Sequence, residues 1–87
     1  MSQDSLLEFP CQFPIKVMGA NTPDFEAEIV MIGRQHIPDL GEGAIQSKPS
    51  KAGKYVSITI TFTATSRPQI DNLYRAFNAH PDVKMVL

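Results

Sequence analysis

Two short segments of the sequence carry residues whose types and spacing suit the binding of an anion. The first is Gly19, Asn21 and Thr22, which precede a predicted helix whose first backbone N–H groups could hold a carboxylate or a phosphate. The second is a lysine-rich turn made of Lys48, Ser50, Lys51 and Lys54. The structural alternatives are a tight turn with a helix cap for the first segment and a solvated sheet edge for the second. An anion site in the lysine-rich turn would weaken as ionic strength rises.

Groups able to carry covalent or metal chemistry are few and scattered. Cys11 is the one cysteine, so neither a disulfide within the chain nor a thiolate cluster can form. No motif brings a general base to Cys11, so the sequence does not favour a catalytic nucleophile there. His36 and His80 are widely separated, and we interpret them as helix-end or packing residues. The sequence therefore predicts no catalytic residue, no metal site and no cofactor, and a protein that is not an enzyme.

The composition is that of an ordinary soluble domain. With 43% hydrophobic and 20% charged residues, the 87-residue chain is long enough for one small core. A net charge of -1 gives no general attraction to nucleic acid or anionic lipid, and no apolar run approaches the ~20 residues of a transmembrane helix. The first residues lack the basic and apolar regions of a secretory signal, so we expect a cytoplasmic protein.

The clearest element is the run from Tyr55 to Ala64, in which apolar and hydroxyl side chains alternate. This period of two predicts a strand with one buried face and one hydroxyl-rich face. RNA-binding domains of the same topology stack bases on aromatic residues of their central strands. Here Tyr55 is the outward aromatic, at the start of the strand, and the first strand offers Lys16 and Met18. The pattern therefore argues against an RNA-binding platform.

The first part of the chain is predicted to hold a strand and a helix. Residues 1–11 form a flexible N-terminal arm that can pack on a single domain spanning 12–87. A strand around 13–18 leads through a turn to a helix with Thr22 as its N-cap and Pro23 at its first position. Val30 and Met31 flank the buried stripe of this helix. They are candidates for an interface, and the alternative is packing on the neighbouring helix or the arm.

The rest of the chain completes a recognisable topology. A weak strand at 44–48 and a turn at 49–53 precede the alternating strand, and a second helix begins with a capping box of Ser66 and Gln69. A short strand at 83–87 follows. Right-handed crossovers then give a four-stranded antiparallel sheet with two helices on one face. The predicted fold is an α+β, ferredoxin-like βαββαβ sandwich whose first and third strands are central.

Five segments, in order and at the expected spacing, resemble the YbeD family of small bacterial proteins of unknown function. They are Leu6-Leu-Glu-Phe-Pro10, Ile15-Lys-Val-Met-Gly19, Lys48-Pro-Ser50, Val56-Ser-Ile-Thr-Ile60 and Val86-Leu87. The resemblance covers nearly the whole chain. It implies a ferredoxin-like fold similar to that of ACT domains, which bind amino-acid effectors around the loop between the first strand and the first helix. It implies no established activity.

These observations favour a cytosolic, non-enzymatic, ACT-like regulatory or binding module that acts through a protein partner or a small anionic effector. One alternative is an interaction adaptor without a ligand, which would use an edge strand or the first helix. A less favoured alternative is a single-stranded RNA-binding domain. A homodimer, where one forms, is expected to pair through the sheet edges or the first helix.

Overall fold

The computed structural model describes residues 8–87. Its regular elements are, in chain order, β1 (Cys11–Ala20), α1 (Phe25–His36), a 3₁₀ turn (Glu42–Ala44), β2 (Ile45–Pro49), β3 (Tyr55–Ala64), α2 (Arg67–Asn78) and β4 (Val83–Val86). Residues 1–7, which make up most of the predicted arm, lie outside the described residues. Within the described part, no helix has the length and apolar character needed to cross a membrane.

The four strands form one antiparallel sheet in the order β2-β3-β1-β4. β1 and β3 pair along their whole lengths, from Cys11 opposite Ala64 to Ala20 opposite Tyr55. The shorter strands β2 and β4 form the two edges. The predicted α+β ferredoxin-like fold, with its first and third strands central, is confirmed.

Both helices pack on one face of the sheet, and the hydrophobic core lies between them and that face. The apolar positions of β3 are buried and its hydroxyl positions are not, as the alternation predicts. The largest fully buried side chains are those of Ile15, Val17, Phe25, Ile29, Ile58, Ile60, Leu73 and Phe77. Burying a side chain of this size contributes roughly 2 kcal/mol to stability. No described element covers the opposite face, which we call the open face.

The start of α1 differs from the prediction. Gly19 and Ala20 belong to β1, because Gly19 pairs with Val56 of β3 and Val83 of β4. The helix begins at Phe25, whose N–H donates to the Thr22 carbonyl over 3.2 Å, and no side chain caps it. The assignment of Thr22 as N-cap was therefore wrong, because the chain makes an extra turn after Pro23 before the helix begins.

The Ser66 N-cap predicted for α2 is confirmed, while the Gln69 side chain bonds to Thr65, one residue before the cap, and also connects the two helices. The Ser66 hydroxyl accepts the Gln69 N–H over 3.3 Å. The Gln69 side-chain carbonyl accepts the Thr65 N–H over 2.8 Å, and its amide donates to the His36 carbonyl over 3.0 Å. One side chain thus satisfies backbone groups at the beginning of α2 and at the end of α1.

The described end of the predicted arm packs on the domain. Phe9 and Cys11 are partly buried against the core, and Cys11 is already the first residue of β1. The thiol of Cys11 forms no disulfide. The division into an arm of 1–11 and a domain of 12–87 stays a prediction.

Candidate functional site

The predicted site residues fall in four separate places in the fold. Gly19 is buried inside the sheet, while Asn21 and Thr22 lie beside α1 with Val30 and Met31. Ser50, Lys51 and Lys54 form part of the tip of the β2–β3 hairpin, and Lys48 lies on the open face.

Gly19 is buried where three elements meet. A Cβ built on Gly19 would overlap the Asp82 carbonyl oxygen and the Phe25 ring, whose Cε1 would be 2.8 Å away. Real Cβ atoms do not approach other atoms so closely, so glycine is required by the packing of β1 against α1 and the loop before β4. This position has no surface to offer to a ligand.

Asn21 fastens the β1–α1 loop to the hairpin tip. Its side-chain amide donates to the Gly53 carbonyl over 2.9 Å, and its backbone N–H donates to the Lys54 carbonyl over 3.0 Å. The side chain therefore already has a structural hydrogen bond in the protein.

Replacing Asn21 by alanine is expected to lower the free energy of unfolding by about 1 kcal/mol, since one side-chain hydrogen bond is lost while the backbone bond remains. Urea unfolding followed by circular dichroism measures this change. Thr22→Ala, on the neighbouring exposed residue, is the matched control and should change stability by less than about 0.5 kcal/mol. Equal losses in the two variants would show that the Asn21 side chain does not anchor the hairpin.

A groove runs along the exposed side of α1. It has a volume of about 690 Å³, and its lining includes Asn21, Thr22, Val30 and Met31, so the structure brings four predicted site residues together. The Met31 side chain is 63% exposed and Val30 is partly buried. The remaining lining includes Glu26, Arg34 and Glu42, which give the groove charges of both signs. With two carboxylates beside one guanidinium, this groove does not favour a simple anion.

The turn of the β2–β3 hairpin is closed by Ser50. Its N–H donates to the Tyr55 carbonyl over 2.8 Å, and its hydroxyl accepts the Tyr55 N–H over 3.2 Å. Gly53 has a φ of 75°, a conformation that favours glycine, and donates its N–H to the Ser50 carbonyl over 2.9 Å. The Ser50 hydroxyl is thus used by the turn itself, while Lys51 and Lys54 are exposed at the tip.

Lys48 lies in a cleft on the open face that the sequence did not reveal. Lys48 of β2 is opposite Ser57 of β3, and Thr59 of β3 is opposite Lys16 of β1. Residues opposite each other in an antiparallel pair project from the same face of the sheet. The cleft has a volume of about 520 Å³, and its lining is Lys16, Gln46, Ser47, Lys48, Ser57 and Thr59. It combines two cationic side chains with hydroxyl and amide groups.

The charges of the protein are segregated between its layers. In the four strands and the hairpin turn at 50–54, every charged residue is a lysine: these are Lys16, Lys48, Lys51, Lys54 and Lys84. The described acidic residues lie in the helices and the other loops. The sheet layer is therefore locally cationic although the net charge of the chain is -1.

A second polar cluster joins α1 to the loop before β4. Glu28, His80 and Asp82 place potential metal ligands within 4.8 Å of one another. The Asp82 backbone N–H donates to His80 Nδ1 over 3.0 Å, so Nδ1 holds the lone pair and Nε2 carries the hydrogen. Nε2 then donates to Glu28 Oε1 over 2.6 Å. A metal bound at Nε2 would have to displace both hydrogen bonds, so we interpret the cluster as structural.

His80→Ala is expected to lower the free energy of unfolding by about 2 kcal/mol, because the His80 side chain is only 11% exposed and makes both of these hydrogen bonds. Its ring also packs edge-on against Phe25, with centroids 5.5 Å apart. Thermal unfolding of His80→Ala measures the effect. His36→Ala is the control, because the His36 ring does not belong to this hydrogen-bond network. Zinc ions should leave the melting temperature of the unmodified protein unchanged; a rise with zinc that His80→Ala abolishes would contradict the structural interpretation.

Comparison with known sequences places the chain among bacterial relatives. A UPF0250 protein of Janthinobacterium sp. (strain Marseille) is 51% identical over 97% of this chain and 92% of its own. A UPF0250 protein of Nitrosomonas europaea is 41% identical over the full length of both chains. The names of these relatives give no enzymatic activity.

A solved structure shares the fold, and a family profile covers nearly the whole chain. The solution structure of protein HP0495 from H. pylori has a TM-score of 0.72 and 15% sequence identity, over 100% of this chain and 94% of that one. The profile described as "Protein of unknown function (DUF493)" matches residues 4–87. The resemblance to the YbeD family is confirmed by these matches. The chain belongs to the DUF493 family, to whose bacterial UPF0250 members it is similar over nearly its full length.

Proposed function

We propose that this chain is a non-enzymatic binding or regulatory module that recognises an anionic ligand, either a small effector or an acidic protein partner, through the lysines of its sheet layer. The observation that carries the proposal is the charge segregation: lysine is the only charged residue type in the four strands and the hairpin turn. An anion approaching this side of the molecule meets no acidic side chain from these elements.

The open-face cleft is the best candidate for the point of contact. Lys16 and Lys48 belong to β1 and β2, which flank β3, and they are opposite Thr59 and Ser57. Their attachment points are therefore two strand spacings and two residues apart, about 12 Å. Ser57 and Thr59 lie between them and add hydroxyl donors. A carboxylate or phosphate with several oxygens could accept hydrogen bonds from both lysines and a hydroxyl together. Lysine suits this task as a compact charge with three donors.

Amide NMR during titration with inorganic phosphate, citrate and a mononucleotide tests the proposal. Binding in the cleft should shift the amide signals of residues 16, 46–48 and 57–59, and 0.5 M sodium chloride should reverse most of the shift, since exposed charges are screened. Lys48→Gln should weaken binding. Lys84→Gln, an exposed lysine outside the cleft, is the control of equal charge change. Shifts confined to residues 21–31, or no response to any of the three anions, would count against the cleft.

A second candidate is an interaction adaptor without a ligand, and the α1 groove supports it. The exposed Met31 side chain and the partly buried Val30 form an apolar contact site there. A homodimer through this helix or through the edge strands β2 and β4 belongs to the same candidate. Light scattering measures the molar mass of the unmodified chain and of Met31→Glu, and so distinguishes a homodimer through α1 from one through the edge strands. A homodimer through α1 should dissociate in the variant.

Single-stranded RNA is the least supported ligand. Tyr55, which is 48% exposed, is the one aromatic residue that the strands present on the open face, and it is the first residue of β3. Base-stacking platforms use aromatic residues in the middle of the central strands. We expect the protein to act in the cytoplasm. The partly buried free thiol of Cys11 would stay reduced there.

A further inference from the structure

The open face is divided into a cationic side and an apolar side. One row across the sheet runs from Met85 of β4 to Met18 of β1, Ser57 of β3 and Lys48 of β2. The next row runs from Leu87, which exchanges backbone hydrogen bonds with Lys16, through Lys16 and Thr59 to Gln46. Lys48 therefore lies at the β2 edge and Met85 and Leu87 lie at the β4 edge, while Lys16 and Met18 lie between them on β1.

The apolar side of this face is exposed to solvent. Met85 is 49% exposed and Leu87 59% exposed, and the partly buried Met18 lies directly beside Met85. Methionine is unbranched and polarizable, so surfaces that contain it adapt to different apolar partners. Adjacent apolar side chains on an otherwise polar face are typical of a binding surface.

We propose that the open face binds a segment of an acidic protein partner, with carboxylates against Lys16 and Lys48 and large apolar side chains against Met18, Met85 and Leu87. This inference rests on the proposed function and names its partner. Lys48 and Met85 are three strand spacings apart, about 14 Å. About four residues of extended chain cover that distance, so the segment carries its acidic and apolar residues about four positions apart.

The layout favours such a segment over a second copy of this chain or a small effector. Two copies joined open face to open face would bring Lys16 and Lys48 of each copy into an interface to which the strands add no acidic side chain, and unpaired like charges in an interface oppose association. A small effector the size of an amino acid cannot reach from Lys48 to Met85. Only a ligand that is both longer than this and acidic at one end complements the two sides together.

Selection from a displayed library of random twelve-residue peptides, followed by titration of the enriched peptides, tests the inference on the full chain. Enriched peptides should contain Glu or Asp about four positions from Leu, Ile, Phe or Met. The sequence has four methionines, and carbon-13 labelling of their methyl groups gives one NMR signal for each. The Met18 and Met85 signals should shift on binding, while the Met31 signal, from the α1 groove, should not move.

Variants then separate the two sides of the surface. Lys16→Gln combined with Lys48→Gln should weaken the binding of an enriched peptide about tenfold or more, because charge-assisted hydrogen bonds are lost. Met85→Thr should weaken it while leaving citrate binding unchanged. A library without acidic enrichment, or shifts confined to Met31, would overturn the inference.

The proposed function and this inference fail in different ways. If citrate or phosphate binds at the cleft and no peptide does, the proposed function stands and the protein partner is wrong. If neither small anions nor peptides respond to the loss of Lys16 and Lys48, both are wrong. If peptide binding persists in the double lysine variant but is lost in Met85→Thr, the charge half of the inference is wrong.

Discussion

Gly19→Ala is expected to destabilise the protein by about 3 kcal/mol, and Gly19→Val is expected to prevent folding, because any Cβ at this position overlaps the Asp82 carbonyl oxygen and the Phe25 ring. The obstruction includes backbone, which cannot turn away as a flexible side chain can. In a domain of this size the alanine variant should melt at least roughly 10 °C lower. Thermal unfolding by circular dichroism measures the shift.

Gly41→Ala is the matched control for this substitution. A Cβ at Gly41 meets no atom within 4 Å, and the residue has a φ of −100°, which any residue adopts. Its effect should stay within about 0.5 kcal/mol. If Gly19→Ala were as stable as Gly41→Ala, the close packing of β1, α1 and the loop before β4 would be wrong. This outcome also bears on function, since a loss of ligand binding in a Gly19 variant would report unfolding rather than a binding role.

Phe25→Ala is expected to destabilise the protein by 3 to 5 kcal/mol, roughly the range for deleting a fully buried phenylalanine side chain. Phe25 contributes to the core at the start of α1, and it also supports the His80 ring. Urea unfolding at equilibrium gives the change in free energy. Phe25→Leu, which keeps most of the volume, is the control and should lose less than about 1.5 kcal/mol.

The double variant Gly19→Ala with Phe25→Ala gives a more specific result. Removing the Phe25 ring frees part of the space that the new Cβ needs, while the Asp82 carbonyl still blocks the rest. The loss in the double variant should therefore be smaller than the sum of the two single losses, by about 1 kcal/mol. Strict additivity would show that Phe25 does not restrict position 19.

The fold could be read from the sequence wherever a local pattern decides the structure. The alternation from Tyr55 to Ala64 fixes one strand and both of its faces, and Ser66 with Gln69 fixes the start of α2. The start of α1 could not be read this way. Gly19 and Ala20 extend β1 because they pair with residues more than 30 positions later in the chain. The sequence around Thr22 is typical of a helix N-cap, and nothing in it indicates that the helix begins only after Asp24.

The candidate site could be predicted only in part, for a related reason. The sequence predicts Lys16 on the outward face of β1 and Lys48 in a lysine cluster. Their cleft depends on the register of two strand pairs, which places Lys16 opposite Thr59 and Lys48 opposite Ser57. A one-residue slip in either register would send one lysine to the other face. The roles of Ser50 and Asn21 in holding the hairpin likewise depend on contacts that only the folded chain makes.

The most direct test of the central claim compares two double variants that lose the same charge at different places. Calorimetry with citrate, phosphate and a hexaglutamate peptide is carried out on the unmodified chain, on Lys16→Gln with Lys48→Gln, and on Lys51→Gln with Lys54→Gln. The account predicts salt-sensitive binding of at least one of these anions, about tenfold weaker in the cleft variant and changed less than twofold in the hairpin variant. Equal weakening in both variants, or no binding by the unmodified chain, would contradict it.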